Sequence, residues 1–183
     1  MKYTIIITKD KTKITNEFID DDTKSRFYGS LNQWITDIYL YLIENKIVAF
    51  STLMKENLKF GFLDYHIKDE QKEYFINNYP IINQKTNQIC YLYVSKNFRN
   101  LNIATQLLDF IFTDLKQRAY VYVWLIKETQ SNIYNKFDFK SFVKMLESLQ
   151  IKKKFLEDYK SKCKHDEEKL NNYYGDQRVV KKL

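Results

Sequence analysis

The residues from Val94 to Leu108 have the composition of a turn that binds an anion. They read V-S-K-N-F-R-N-L-N-I-A-T-Q-L-L, so a short polar turn joins a strand-like run directly to a helical pattern. The first N–H groups of a helix lack intrahelical partners and carry a partial positive charge, which suits a pyrophosphate. Arg99 adds a cation, and Asn100 and Asn102 are of a type that tolerates positive φ. We therefore expect phosphate binding by main-chain amides.

Two strands and a helix are predicted around this turn. Residues 88–95 and 119–126 are apolar runs of strand length. Between them, apolar residues recur at the spacing of one helical face: Ala104, Leu107, Leu108, Ile111, Phe112 and Leu115. Residues 88–126 thus predict a β-α-β unit, with parallel strands and a right-handed crossover.

The remainder of the chain gives less regular patterns. Glu44-Asn45-Lys46 predicts a tight hairpin between two strands. Before the β-α-β unit we expect strands at 3–8, 37–43, 47–55 and 59–66, one or two helices within 12–36, and a short helix after 66. After the unit we expect a short helix near 130–137, a strand near 139–145 and a mostly helical tail from 146.

Composition limits the class of protein. The 183 residues, 44% of them hydrophobic, fit one globular domain with a substantial core. The net charge of +7 is concentrated in residues 151–183, which hold 10 basic and 6 acidic residues, so the body gives no reason to expect nucleic-acid binding. Cys90 and Cys163 form no metal or redox motif, and no metal is expected. No apolar run approaches the ~20 residues of a membrane helix, which predicts a cytoplasmic protein without membrane contact.

The turn resembles the acetyl-CoA motif of the GNAT N-acetyltransferases, Q/R-x-x-G-x-G/A. Arg99 occupies the first position and Ala104 the last, while Asn102 replaces the central glycine. The resemblance implies an α/β (α+β) fold, with a mixed central sheet flanked by helices, and acetyl-CoA as co-substrate. In such a fold, the amides of the turn hold the pyrophosphate and the preceding strand pairs with pantetheine. The cofactor-binding residues implied are Leu92, Tyr93, Val94, Arg99, Asn100, Leu101, Asn102, Ile103, Ala104 and Thr105.

A second segment resembles the same family. Residues 132–139, N-I-Y-N-K-F-D-F, are similar to the family's A-x-x-L-Y-E-K-x-G-F, which follows the strand after the phosphate helix. Tyr134 aligns with the tyrosine that protonates the departing CoA thiolate in many members, a role that suits a phenol. By the same resemblance, Asn132 lies near the pantetheine and Phe139 starts the last core strand. Asp138 replaces a glycine with another residue that suits turns.

The implied reaction is direct attack of a neutral amine on the thioester through a tetrahedral intermediate, with the Val94 amide as the expected oxyanion donor. Many family members carry a glutamate about four residues before that valine. Here the position is Cys90, for which packing is the better interpretation. Asp64, His66 and Glu128 stay open as bases, as does a water chain to solvent, and no base is assigned.

The sequence therefore predicts an N-acetyltransferase that acts on an unidentified amine, as a monomer or homodimer. Residues 1–145 are expected to form the acetyltransferase domain and 146–183 a helical, basic extension packed on or next to it. The alternative is an inactive GNAT-fold binding protein that engages a protein or nucleic acid, which Asn102, Asp138 and the missing glutamate favour. A third hypothesis, nucleic-acid binding through 151–183, predicts salt-dependent association.

Overall fold

A computed structural model of the chain describes residues 2–57, 67, 69–79, 85–115, 120–124, 131–164, 168 and 178–182. The strands are β1 (Tyr3–Thr8), β2 (Glu17–Phe18), β3 (Ile35–Ile43), β4 (Lys46–Asn57), β5 (Lys85–Val94), β6 (Tyr120–Trp124), β7 (Lys140–Ser141) and β8 (Arg178–Lys182). The α-helices are α1 (Asp21–Ser30), α2 (Asp69–Asn78), α3 (Ile103–Asp114), α4 (Ser131–Asn135), α5 (Phe142–Ser148) and α6 (Lys152–Cys163). The chain divides into two compact units, Met1–Lys55 with Gln88–Gln117, and Glu56–Asn87 with Arg118–Leu183.

The first unit is built on the strands β1, β3, β4 and β5, in that order, with β2 parallel to β4. The pairs β1–β3 and β3–β4 are antiparallel, so the sheet is mixed, as expected. Glu44 and Asn45 join β3 to β4 with φ values of 49° and 64°. Two consecutive positive φ values identify the tight turn whose twist matches a hairpin, which confirms the hairpin predicted here.

Alternation along β3 places helices on both faces of this sheet. Leu40 and Leu42 belong to a buried cluster with Phe27 of α1 and Phe50 of β4. The intervening tyrosines face α3: the Tyr39 hydroxyl donates to Asp114 Oδ2 at 2.7 Å, and the Tyr41 hydroxyl donates to Gln106 Oε1 at 2.6 Å. The apolar face predicted for α3 is buried at Leu107, Leu108, Ile111, Phe112 and Leu115.

The second unit contains the strands β6, β7 and β8 and a hydrophobic core. Strand β8 lies between β6 and β7 and is antiparallel to both. The core is formed by aromatic and aliphatic side chains of α2, α5 and α6, with Phe75, Tyr79, Phe142, Leu146, Phe155 and Tyr159 all buried. Asp158 of α6 accepts hydrogen bonds from Tyr74 at 2.9 Å and Tyr79 at 2.5 Å, which connects α6 to α2.

Two predictions about the C-terminal part need correction. The strand expected near 139–145 is wrong, because β7 has two residues and α5 begins at Phe142. Ser141 caps that helix by accepting from the Lys144 amide at 3.4 Å, and helical spacing buries Phe142, Val143, Met145 and Leu146. The tail is helical at α6 as expected, but it also supplies the strand β8. The domain boundary after residue 145 stays a prediction.

Other expectations have mixed outcomes. Within 12–36 the structure has one α-helix, α1, preceded by a 3₁₀ turn at Lys11–Lys13 and the short β2. The strand expected at 59–66 lies outside the described residues, whereas the helix expected after it is α2. Among the described residues, no helix combines the length and apolar character needed to cross a bilayer.

Candidate functional site

The turn between β5 and α3 has the backbone conformation predicted for its asparagines. Asn100 has φ 63°, and Asn102, the N-cap of α3, has φ 61° and ψ 12°. This left-handed region disfavours residues with a Cβ, and asparagine is among the few that enter it readily. The chain contains 3 glycines, and here asparagine does what glycine does at such turns.

The main-chain donors of this turn are available to a ligand. Within the described part of the chain, no partner is found for the N–H groups of residues 100–105, and the Asn102 side chain makes no capping hydrogen bond. The first helical bond runs from Gln106 N to Asn102 O at 3.1 Å. Asn100, Leu101 and Asn102 are exposed. A helix N-terminus with consecutive free amides is a binding site for an anion.

The end of β5 is fixed to two neighbouring elements through Ser95. This buried serine donates its N–H to Val48 O at 2.8 Å and its hydroxyl to Asp20 Oδ2 at 2.6 Å. Asp20 also caps α1 by accepting from Thr23 N at 2.6 Å. Burial acts to raise the pKa of Asp20, but the hydrogen bonds from Ser95 and Thr23 outweigh it and lower that pKa. Asp20 is therefore an anion at neutral pH and holds the start of the turn.

Tyr93 is surrounded by charged groups just before the turn. Its hydroxyl donates to Asp22 Oδ2 at 2.6 Å, and burial followed by this hydrogen bond raises its pKa. The guanidinium carbons of Arg26 and Arg99 lie 5.7 and 5.9 Å from its ring centroid. Arg99 also donates from Nε to Val94 O at 3.3 Å. Arg99 is thus an exposed cation anchored at the start of the turn, where the sequence places it.

The other residues predicted in this unit lie along the same path. Leu92 and Val94 are half-buried at the end of β5, and the helix begins with buried Ile103. Ala104 and Thr105 follow it in the first turn and are half-buried. The Cys90 thiol is also half-buried, with Sγ 3.7 Å from Gln88 O. The candidate bases Asp64, His66 and Glu128 lie outside the described residues.

Tyr134 belongs to the second unit and lies in α4 together with Asn132. Its side chain is 5% exposed, and its ring packs edge-on against Phe139 at a centroid distance of 5.3 Å. Among the described residues its hydroxyl has no hydrogen-bond partner. Burial raises the pKa of Tyr134 well above its ordinary value, so the phenol stays protonated at neutral pH. A buried phenol that keeps its proton can act as a general acid.

The chain turns sharply after α4. Phe137 N and Phe139 N both donate to Tyr134 O, at 3.0 and 3.3 Å, and Asp138 has φ 60°. A left-handed residue after a helix is a common way to satisfy its last carbonyls. The prediction that Asp138 takes the turn conformation usual for glycine is confirmed.

Sequence analysis missed the role of three residues at the turn. Asp20 and Asp22 belong to an acidic run whose position before Thr23 is typical of a helix N-cap, and this signal could have located the start of α1. Ser95 gave no signal in the sequence, because its partners lie far away along the chain. All three carry hydrogen bonds that fix the end of β5.

Comparison with known proteins gives a family match and matches to solved structures. The model of the acetyltransferase (GNAT) family matches residues 12–139. The KacTA–DNA complex is 11% identical, with 99% of this chain and 93% of that chain covered and a TM-score of 0.52. AtaT complexed with acetyl-methionyl-tRNAfMet is 13% identical, with 76% and 88% covered and a TM-score of 0.50.

A GNAT family acetyltransferase from Elizabethkingia anophelis with acetyl-CoA bound is 18% identical, with 76% of each chain covered and a TM-score of 0.46. At their identities, the KacTA and AtaT structures show a likeness of fold. No curated protein matches the chain.

Proposed function

The chain belongs to the GNAT acetyltransferase family, and on that premise we propose that it transfers the acetyl group of acetyl-CoA to a primary amine of a small molecule or protein. The observation that carries the proposal is the run of unpartnered main-chain amides from Asn100 to Thr105, in the part of the chain that the structure describes. These donors and the positive end of α3 are complementary to the pyrophosphate of CoA.

The neighbouring residues support the same ligand. Arg99, anchored at Val94 O, supplies a cation beside the turn. Asn100 and Asn102 hold the left-handed conformations that aim consecutive amides at one anion. We propose that the backbone of residues 92–94 pairs with the pantetheine arm, and that Asn132 of α4 lies beside it.

In the proposed mechanism, a neutral amine attacks the thioester carbonyl, a C–N bond forms, and the C–S bond then breaks. The Val94 amide donates to the oxyanion that develops on the carbonyl oxygen. Tyr134 gives its proton to the departing thiolate, since a phenol holds its proton at neutral pH and can donate it to a developing anion. The proton of the amine leaves to a base or to water, and no base is assigned.

Calorimetric titration with acetyl-CoA, followed by thiol release with a panel of amines, tests this proposal. The panel contains polyamines, aminosugars, lysine peptides and peptides with free N-termini, and mass spectrometry identifies the acetylated product. We expect saturable binding of one acetyl-CoA per chain and thiol release with at least one amine class. No saturable binding would remove the proposal.

A second candidate is a GNAT-fold protein that binds a nucleic acid or protein partner without turnover. The helix α6 favours it, because Lys153, Lys154 and Lys160 are exposed on the helix and Lys164 is exposed directly after it. The KacTA and AtaT structures, which hold DNA and tRNA, add support, so the expectation of no nucleic-acid partner loses its support. In this proposal residues 146–183 act as a basic extension beside a 1–145 domain.

Binding assays at several salt concentrations separate the two candidates. Each phosphate contact adds about one unit to the slope of log K against log salt. The double variant Lys153→Glu/Lys160→Glu should therefore weaken binding of a duplex or a tRNA and lower that slope. Lys24→Glu on α1 is the control for a charge change elsewhere. Tight binding of a duplex or a tRNA, together with no thiol release for any amine, would favour the second candidate.

A further inference from the structure

Strand β1 stands at one end of the strand order. Among the described residues it pairs with β3 alone, over six consecutive positions from Tyr3↔Ile43 to Thr8↔Ile38 and without a bulge. Its other edge therefore presents main-chain N–H and C=O groups. The strand sequence Y-T-I-I-I-T has no charge and no proline, which are among the features that normally keep an edge strand from pairing with another chain.

An apolar strip runs along the same edge. Tyr3 and Ile7 are opposite Ile43 and Tyr39 in the register, so they lie on the sheet face that α3 covers. Yet Tyr3 is 52% exposed and Ile7 38%, and Phe110 of α3 is 37% exposed where its ring meets Tyr39. The helix thus covers β3 and leaves β1 partly uncovered. Aromatic and aliphatic side chains beside an unpaired edge are typical of an interface.

We propose that this edge is a homodimer interface in which β1 of a second copy pairs antiparallel with β1. A two-fold axis through Ile6 puts Thr4 opposite Thr8 and Ile5 opposite Ile7 of the other copy. The same register brings Tyr3 near Lys9 and Lys2 near Asp10 of the other copy, the two residues that follow β1, and both pairs attract. Asp10 bonds Thr12 through Oδ1, so Oδ2 can accept the lysine of the other copy.

The charges flanking β1 select both the register and the partner. An axis through Ile5 would place Lys2 opposite Thr8, and an axis through Ile7 would place it opposite Thr12, so either neighbouring register loses the attraction between Lys2 and Asp10. The segment from Lys2 to Asp10 is complementary to itself when reversed, with a cation at one end and an anion at the other. A second copy of this chain satisfies both ends at once, because a two-fold contact uses the same surface twice.

Sedimentation or light scattering over roughly a hundredfold range of concentration measures the oligomeric state. We expect the mass of two chains at the upper end. Ile7→Lys places a charge on the edge in both copies and should give single chains throughout. Trp34→Lys, at an apolar residue that is 63% exposed outside the strand, is the matched control and should leave the dimer unchanged.

The register is tested by reversing charges. Lys2→Asp brings a second carboxylate opposite Asp10 of the other copy, twice per dimer, and should raise the dissociation constant of the dimer about tenfold or more. Adding Asp10→Lys should restore the wild-type dissociation constant. Circular dichroism verifies that each variant folds. If the double variant is unfolded, about 1 M salt should restore dimerisation of Lys2→Asp by screening the repulsion. Single chains of wild type at every concentration, or a dimer that neither Ile7→Lys nor Lys2→Asp weakens, would overturn the proposal.

Discussion

Replacing Asn102 by valine should weaken acetyl-CoA binding without removing any contact of its side chain. The Asn102 side chain is exposed and makes no capping bond, so its backbone conformation, φ 61° and ψ 12°, is what the substitution changes. A left-handed conformation costs an L-residue about 1–2 kcal/mol, least for asparagine and most for a β-branched residue.

This conformational cost should appear in the dissociation constant of acetyl-CoA. With valine at residue 102, the turn can relax to negative φ. The amides then leave the arrangement that holds an anion, and ligand binding must restore that arrangement. A penalty of about 1–2 kcal/mol corresponds to a rise of roughly 5- to 30-fold in the dissociation constant of acetyl-CoA. Asn102→Gly removes the same side chain but accepts the conformation, so binding should stay within about threefold of wild type.

Titration calorimetry and thermal unfolding measure the two effects together. Asn45→Val is the matched control, because Asn45 has φ 64° in the β3–β4 hairpin, outside the turn. That variant should lower the melting temperature and leave acetyl-CoA affinity unchanged. If Asn102→Val folds and binds acetyl-CoA as tightly as wild type, the left-handed turn does not hold the cosubstrate and our reasoning fails.

Three further predictions concern the acid, the second unit and the cap of α1. Tyr134→Phe should lower kcat about tenfold or more while KM for acetyl-CoA stays close to wild type; a kcat within twofold would exclude the proposed role of the phenol. Asp158→Ala should lower the free energy of unfolding in urea by about 2–4 kcal/mol, because the hydroxyls of buried Tyr79 and half-buried Tyr74 lose a charged acceptor. Exposed Glu157→Ala should cost less than about 0.5 kcal/mol, and equal effects would contradict the role of these bonds. The pKa of Asp20 is lowered by folding, so its contribution to stability is present above its unfolded pKa of about 3.9 and is lost as the pH falls through the folded value. Asp20→Asn should therefore flatten the fall in stability on acidification, and urea titrations at a series of pH values would show an unchanged slope if this is wrong.

The sequence was informative where short-range patterns decide the structure. The helical spacing of α3, the positive φ values at Asn45 and Asn102, and the strand β5 all follow from local residue types. For the candidate site, the same patterns located the turn and its conformation. Local strain and helix amphipathicity are properties that a single segment carries by itself.

The parts of the structure that the sequence did not predict depend on pairing between residues far apart in the chain. The hydrogen bonds from Ser95 to Asp20 and from Tyr93 to Asp22 join residues 75 and 71 positions apart. Strand β8 contains just two valines among charged residues, and it becomes a strand by pairing with β6 and β7. For the segment after Lys140, apolar spacing fits a strand or a helix, and the Ser141 cap decides in favour of α5.

The most direct test follows the amides of the turn by NMR. In ¹⁵N-labelled protein titrated with acetyl-CoA, the N–H signals of residues 100–105 should shift downfield and saturate together at one equivalent, because each gains a charged hydrogen-bond acceptor. CoA lacking the acetyl group should produce the same shifts. Saturable binding that leaves these signals in place and moves others would contradict the account.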